Sequence, residues 1–202
     1  MDAQCGNAEL ALAPRFRIGS VEPMDVTDEL IDVMARANGR ICRHLHLPLQ
    51  SGSTDILAEM NRPYTASDFL GLVDKLRARI PSISLSTDII VGFPGETDND
   101  FLQTCSVAQA CCFSKIHVFP YSKRAGTPAA QRADQIAPSI KTERAARLRN
   151  LGDKLAHRDF ESRSGSTEWA LVESNGTAMT ESYYSVSCDK AWEPGSLIPY
   201  LF

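Results

Sequence analysis

Short apolar runs alternate with amphipathic stretches from residue 15 to about residue 163. This is the pattern of successive β-α units around a mostly parallel sheet. The first run, Arg15 to Val21, leads to Thr27, which can cap a helix carrying Asp28 and Glu29 in its first turn and reaching about Ala37 before the Asn38-Gly39 stop. A second run spans His44 to Gln50, with Pro48 predicted at the strand's end because proline cannot donate to a ladder. Ser51-Gly52-Ser53 then opens a short helix toward Met60. Thr65 with Asp68 predicts a capped helix whose apolar positions Phe69, Leu72, Val73 and Leu76 follow the helical period, ended by Pro81. Leu85 to Phe93 is the strongest strand, and the turn Gly92 to Thr97 leads into a helix starting near Asp98. Lys115 to Tyr121 reads as another strand, and Pro138 suits the first turn of a long helix that ends before the Ser162 to Ser166 break.

Beyond that break the helical period disappears. Trp169 to Val172, Tyr183 to Val186 and Leu197 to Phe202 are short β-like runs separated by turn residues. The predicted organisation is therefore a tail (1–14), an α/β unit (15–137), a basic connecting helix (138–163) and a small β module (164–202).

Composition narrows the classes. With 202 residues and 43% hydrophobic content the chain can bury a core, which argues against low-complexity disorder. A net charge of −4 excludes a uniformly basic nucleic-acid coat, but residues 141–163 carry seven Lys/Arg against four Asp/Glu, so positive charge is concentrated there. Six scattered cysteines (Cys5, Cys42, Cys105, Cys111, Cys112, Cys188) make neither a disulfide scaffold nor a CxxC pair. No basic residue precedes Arg15 and no apolar run approaches the ~20 residues of a membrane span, so a cytoplasmic location is expected.

Four collinear segments carry more specific information. They are His44-Leu45-His46-Leu47-Pro48-Leu49-Gln50-Ser51-Gly52-Ser53; Met60-Asn61-Arg62-Pro63-Tyr64-Thr65; Thr87-Asp88-Ile89-Ile90-Val91-Gly92-Phe93-Pro94-Gly95-Glu96-Thr97; and His117-Val118-Phe119-Pro120-Tyr121-Ser122-Lys123-Arg124-Ala125-Gly126-Thr127-Pro128-Ala129-Ala130. In this order they resemble the methylthiotransferases of the radical S-adenosylmethionine (SAM) superfamily. The resemblance implies the C-terminal half of a partial (β/α) barrel whose strand ends present the site. It also implies that the last segment is part of the small β-barrel RNA-binding module called TRAM.

The family holds SAM, so a pocket must offer an anion partner, polar contacts for a diol and a close backbone approach. On the resemblance Glu22, Gln50, Ser51, Arg62, Asp88 and Gly92 are expected on the cofactor side, and Tyr121, Ser122 and Arg124 on the substrate side. Arg62 suits the carboxylate, Gln50 and Glu22 hydroxyl or ammonium groups, and Gly92 the adenine. Taken singly, a Gln or Ser after a strand is more often turn chemistry. Asp88 inside an apolar strand calls for a partner. His44 and His46 share a strand face, but two histidines without further ligands read as packing or hydrogen-bonding residues, and no metal ligand is assigned.

The family also uses a [4Fe-4S] cluster held by a CxxxCxxC loop, leaving one iron open for SAM. This chain has no such loop. The expected parent activity is addition of a methylthio group at C2 of a hypermodified adenosine at tRNA position 37. The threonylcarbamoyl type is favoured by His117 to Ser122, and the isopentenyl type is the alternative. One SAM would supply the methyl group and another the 5′-deoxyadenosyl radical. The chain alone is expected to be inactive, with the tRNA anticodon stem-loop and a chain supplying the other half, or self-association, as partners. The competing expectation is a catalytically silent SAM- or RNA-binding module.

Overall fold

The computed structural model describes residues 15–174 and 176–202, so the expected tail 1–14 lies outside the described residues. Helices α1 (Asp28–Arg36), α2 (Thr54–Glu59), α3 (Ala66–Arg79), α4 (Asp98–Cys111), α5 (Pro128–Gln131) and α6 (Pro138–Ser162) accompany strands β1 (His44–His46), β2 (Ser84–Val91) and β3 (Lys115–Pro120). These strands pair in the order β1-β2-β3, all parallel, with His46 opposite Ser86 and Asp88 opposite His117.

Local chemistry sets the helix starts. Thr65 and Thr97 each accept from the backbone of the third helical residue while Asp68 and Asp100 return a bond to the cap amide, closing two capping boxes. Pro138 sits in the first turn of α6. The odd positions of β2 (Leu85, Ile89, Val91) enter a core with Leu45, Leu47 and Leu49, Ile31 and Met34 of α1, Phe69, Val73 and Leu76 of α3, Phe101 and Cys111 of α4, and Leu148 of α6. Helices therefore cover one face of the sheet. The even positions Ser84, Ser86, Asp88 and Ile90 belong to the opposite face, because side chains alternate along a strand.

Two departures from the sequence expectation matter. Arg15 to Val21 is not a full strand: its pairing with neighbours is limited to the isolated bridges Phe16↔Ile41 and Ser20↔His46. Its arginines instead reach the C-terminal module, Arg17 donating to the carbonyls of Thr180 and Glu181 and Arg15 pairing with Glu181 at 2.9 Å. The short α5 was also not anticipated.

The C-terminal residues form a four-stranded antiparallel sheet, β6 (Ser185–Ser187), β5 (Thr177–Thr180), β4 (Thr167–Val172) and β7 (Leu197–Leu201) in that order. Its core is Ala170, Val172, Ala178, Val186 and Ile198. The expected run Tyr183 to Val186 begins as a turn, with Tyr183 at φ 71°, and the pairing strand preceding it is β5. At the joint, Arg163 is buried against Glu168 (2.9 Å), Asp159 and the Ser182 hydroxyl, and Phe160, Tyr184, Tyr200 and Phe202 pack edge to face.

Candidate functional site at the strand ends

Pro48 follows the β1 ladder, and pairing resumes at Gln50, which bridges Ile89. From His46↔Ser86 to Gln50↔Ile89 the first segment advances four residues while β2 advances three. The extra residue makes this a bulge, which bends the strand and re-aims a side chain. The fold satisfies it fully. The Leu49 amide donates to Thr87 Oγ1 (2.9 Å), Tyr64 OH donates to the Pro48 carbonyl (3.0 Å), and Gln50 exchanges backbone bonds with Asp88 and Ile90. Gln50 is left at φ 66°, a left-handed conformation that costs a non-glycine residue about 1–2 kcal/mol.

Gln50 thereby lines a cavity of about 530 Å³ with Asp88, Ile90, Phe93, Phe119, Tyr121, Ser122 and Arg124. Small-molecule sites span roughly 300–1,000 Å³. The cavity draws from the C-terminal ends of all three parallel strands. Phe119 is half exposed there, Tyr121 stacks edge-on against Phe93 (5.3 Å between centroids), and the Tyr121 hydroxyl is buried without a protein partner. Five of the nine residues named from sequence thus concern this region directly: Gln50, Asp88, Tyr121, Ser122 and Arg124.

Gly92 ends β2 at φ 71°, and a Cβ there would lie 2.4 Å from Lys141 Cγ. Its amide already donates to Glu96 Oε2 (2.7 Å). Glu96 in turn takes Arg144 of α6 at 2.6 Å, and burial of this carboxyl raises its pKa despite the Gly92 and Arg144 contacts. Lys141 donates to the Tyr121 carbonyl (3.1 Å), so α6 braces the rim from behind. Glu22 and Arg62 form an ion pair at 3.0 Å; Val21, beside Glu22, bonds the His46 carbonyl, which puts this pair near the end of β1.

Ser51 goes elsewhere. It is wholly buried, its hydroxyl 3.3 Å from Thr104 Oγ1, while Ser53 caps α2 and donates to Asp100 at 2.6 Å. The Ser-Gly-Ser segment docks α4, and Gly52 passes so close that a Cβ would meet the Thr104 Cα at 2.5 Å.

Sequence reasoning missed Ile90, Phe93 and Phe119 as lining residues, although Phe119 follows Lys115 and His117 at the two-residue spacing of one strand face. It also missed that His46, Asp88 and His117 meet on that face: His46 Nε2 lies 3.3 Å from Asp88 Oδ1, and burial, Lys115 and His46 lower the His117 pKa against the pull of Asp88. The basic character of α6 is divided. Arg144 and Arg163 are buried in ion pairs, whereas Arg147, Arg149, Lys154 and Arg158 are exposed. Among the described residues no helix is long and apolar enough to cross a membrane.

The cavity can hold a nucleoside-sized ligand by a polar edge (Gln50, Asp88, Ser122) and an aromatic wall (Phe93, Phe119, Tyr121). An iron–sulfur cluster does not fit the described residues. Cys42 and Cys111 are buried, Cys105, Cys112 and Cys188 half-buried, and none joins a group of three metal-binding side chains among the described residues.

Residues 8–108 match the family model described as the radical SAM superfamily. Curated relatives include threonylcarbamoyladenosine tRNA methylthiotransferase MtaB of Bacillus subtilis (strain 168), 46% identical over 70% of this chain and 31% of that protein. The tRNA-2-methylthio-N(6)-dimethylallyladenosine synthase of Corynebacterium urealyticum is 45% identical over 85% of this chain and 31% of its own length. The chain therefore spans about a third of the length of these relatives. Among solved structures, the radical SAM enzyme coproporphyrinogen III oxidase (HemN) of Escherichia coli superimposes with a TM-score of 0.57 at 22% identity, covering 70% of this chain and 32% of that one, a likeness of fold. Members of this family use SAM and a [4Fe-4S] cluster. With a family match over half its length and a parallel sheet of the same fold, this chain belongs to the radical SAM superfamily, among relatives named as tRNA methylthiotransferases.

Proposed function

We propose that this chain forms the C-terminal part of the SAM pocket and of the substrate wall of a tRNA methylthiotransferase acting at C2 of a hypermodified adenosine at position 37. The observation that carries the proposal is the single cavity in which Gln50, Asp88, Tyr121 and Arg124 meet at the strand ends. Bound SAM would supply the methyl group and the deoxyadenosyl radical. The residues of this chain hold and orient it. The paired Glu22 and Arg62 match the charges of an aminocarboxylate, carboxylate to ammonium and guanidinium to carboxylate. Gln50 and Asp88 offer partners for ribose hydroxyls, and Gly92, whose missing side chain leaves room for Lys141 of α6, sets the turn that would border the adenine. Tyr121, Ser122 and Arg124 face the nucleoside, with Phe119 as a stacking surface. Ser51 acts through the Ser-Gly-Ser docking rather than by contact.

In this reading residues 15–137 are half of the radical SAM core, 138–163 the connecting helix and 164–202 a TRAM-like module. Identity does not separate the two nucleoside types, since relatives of both kinds match at 45–46%. The threonylcarbamoyl type is favoured by the His117 to Ser122 segment. Because the cluster ligands are lacking, we assign radical generation to another polypeptide segment and no turnover to this chain alone.

Titrating the purified 202-residue chain with SAM tests the pocket. Saturable binding that weakens at least tenfold in Gln50→Ala and in Arg62→Ala supports it, and equal affinity in all three proteins overturns it. Co-expression with a chain carrying the family's cluster domains, followed by mass analysis of tRNA nucleosides, reads the product. Methylthio-threonylcarbamoyladenosine supports the favoured type, and methylthio-isopentenyladenosine alone overturns it.

A further inference from the structure

We propose that His46, Asp88 and His117 form a binding site for a divalent first-row transition-metal ion on the face of the parallel sheet opposite the helices. The ligand atoms of the three side chains all lie within 4.8 Å of one another. His46 Nε2 and Asp88 Oδ1 are 3.3 Å apart. Two ligands bonded to one tetrahedral ion at roughly 2.0–2.2 Å sit about 3.4 Å from each other, so this pair already has the right separation.

The scaffold is rigid in the way such sites require. The three residues come from three neighbouring strands, with His46 in register with Ser86 and Asp88 in register with His117. An outer shell is also present. His46 Nδ1 lies 3.0 Å from Ser86 Oγ, which lies 3.0 Å from Nε2 of the buried His44. A proton on His46 Nδ1 donated to Ser86 leaves Nε2 free as a ligand, the arrangement by which metal-binding histidines are normally oriented. His44, which sequence reading grouped with His46, therefore serves as a support. Two imidazoles and one carboxylate without thiolate suit Zn²⁺ or Fe²⁺ rather than Mg²⁺ or Cu⁺.

The site is reachable. The His46 side chain is 18% exposed and that of Asp88 31%, and Asp88 also lines the 530 Å³ cavity, so a bound ion would keep open positions facing it. The inference needs neither SAM nor RNA. Asp88 is the one residue it shares with the proposed cofactor pocket; Gln50→Ala disturbs only that pocket and His117→Ala only the metal.

The test uses the 202-residue chain stripped of metal and titrated with Co²⁺ and then Zn²⁺. The expected result is one Co²⁺ per chain with the weak visible bands of nitrogen and oxygen ligation, no thiolate charge-transfer band, and displacement by Zn²⁺. His117→Ala and Asp88→Asn should each weaken binding by about a hundredfold. Should either variant fold poorly, the wild-type protein still decides. The chain has four histidines, and Zn²⁺ should shift the ring signals of His46 and His117 while leaving those of the exposed His157 on α6 unchanged. Absence of stoichiometric binding, a thiolate spectrum, or retained affinity in His117→Ala overturns the proposal.

Discussion

The sheet β1-β2-β3 buries one face beneath five helices, around a core of twenty-two residues, while β4 to β7 enclose only five. The larger unit has rigidity to spare, and its opposite face carries Ser84, Ser86, Asp88, His46 and His117. Polar residues can be held in fixed positions there because packing on the helical face has already set the strands. The smaller sheet has no such reserve. Its hold on the molecule comes from polar ties, Arg163 at the joint, Arg15 and Arg17 to Glu181 and Thr180, and Ser84 to the Ser182 carbonyl, together with the aromatic cluster of Phe160, Tyr184 and Phe202.

The largest effect should come from breaking the larger core. Phe69 is wholly buried and packs against Phe113 at 6.1 Å and Tyr64 at 6.4 Å. Phe69→Ala is expected to cost about 3–5 kcal/mol, measured by denaturant unfolding, with loss of signal from both sheets together. Val186→Ala in the module should cost less and leave the parallel sheet folded, because its cluster offers few atoms to lose.

Next comes the joint. Arg163→Met leaves Glu168, 5% exposed, buried against Ser182 without its cation. Breaking a buried pair from one side costs about 3 kcal/mol or more. Hydrogen exchange should then show β4 to β7 opening while β1 to β3 stay protected. If both units lose protection equally, the module is a structural part of the core rather than an appended one.

The same contrast explains what could be read in advance. Helix starts at Thr27, Thr65, Thr97 and Pro138 were legible because caps are local chemistry. Strands β2 and β3 were legible because both carry β-branched residues (Thr87, Ile89, Ile90 and Val91; Ile116 and Val118) and are bounded by turn residues. Arg15 to Val21 misled because its arginines answer to Glu181 and Thr180, about 160 residues away, and no local pattern records that. The rim residues were found only through the joint motif, and the meeting of His46, Asp88 and His117 depends on strand register, which periodicity does not supply. Ser51 shows the converse: a residue inside the motif whose contacts are all internal.

A smaller effect should follow at Gly92. An alanine there would meet both the Lys141 side chain at 2.4 Å and a left-handed φ of 71°. The expected loss is about 1–3 kcal/mol, the range for backbone strain. Adding Lys141→Ala removes the collision and leaves the φ penalty, so the double variant should recover part of the loss and no more. Complete recovery would mean that the turn adjusts its backbone freely.

The smallest effect on stability, and the most telling, is expected at Gln50. Its φ of 66° is imposed by the bulge, so Gln50→Gly relieves strain while adding freedom to the unfolded chain. These terms oppose each other at about 1 kcal/mol each, and the unfolding free energy should therefore change by less than about 1 kcal/mol. The side chain lost is nonetheless one that the bulge holds at the cavity. SAM affinity should fall at least tenfold in a protein of unchanged stability. A strained residue that contributes little to the fold yet governs ligand binding marks a functional position. If affinity is unaffected, the bulge serves only to let the chain pass Pro48, and the polar edge of the pocket must be sought at Asp88 and Ser122.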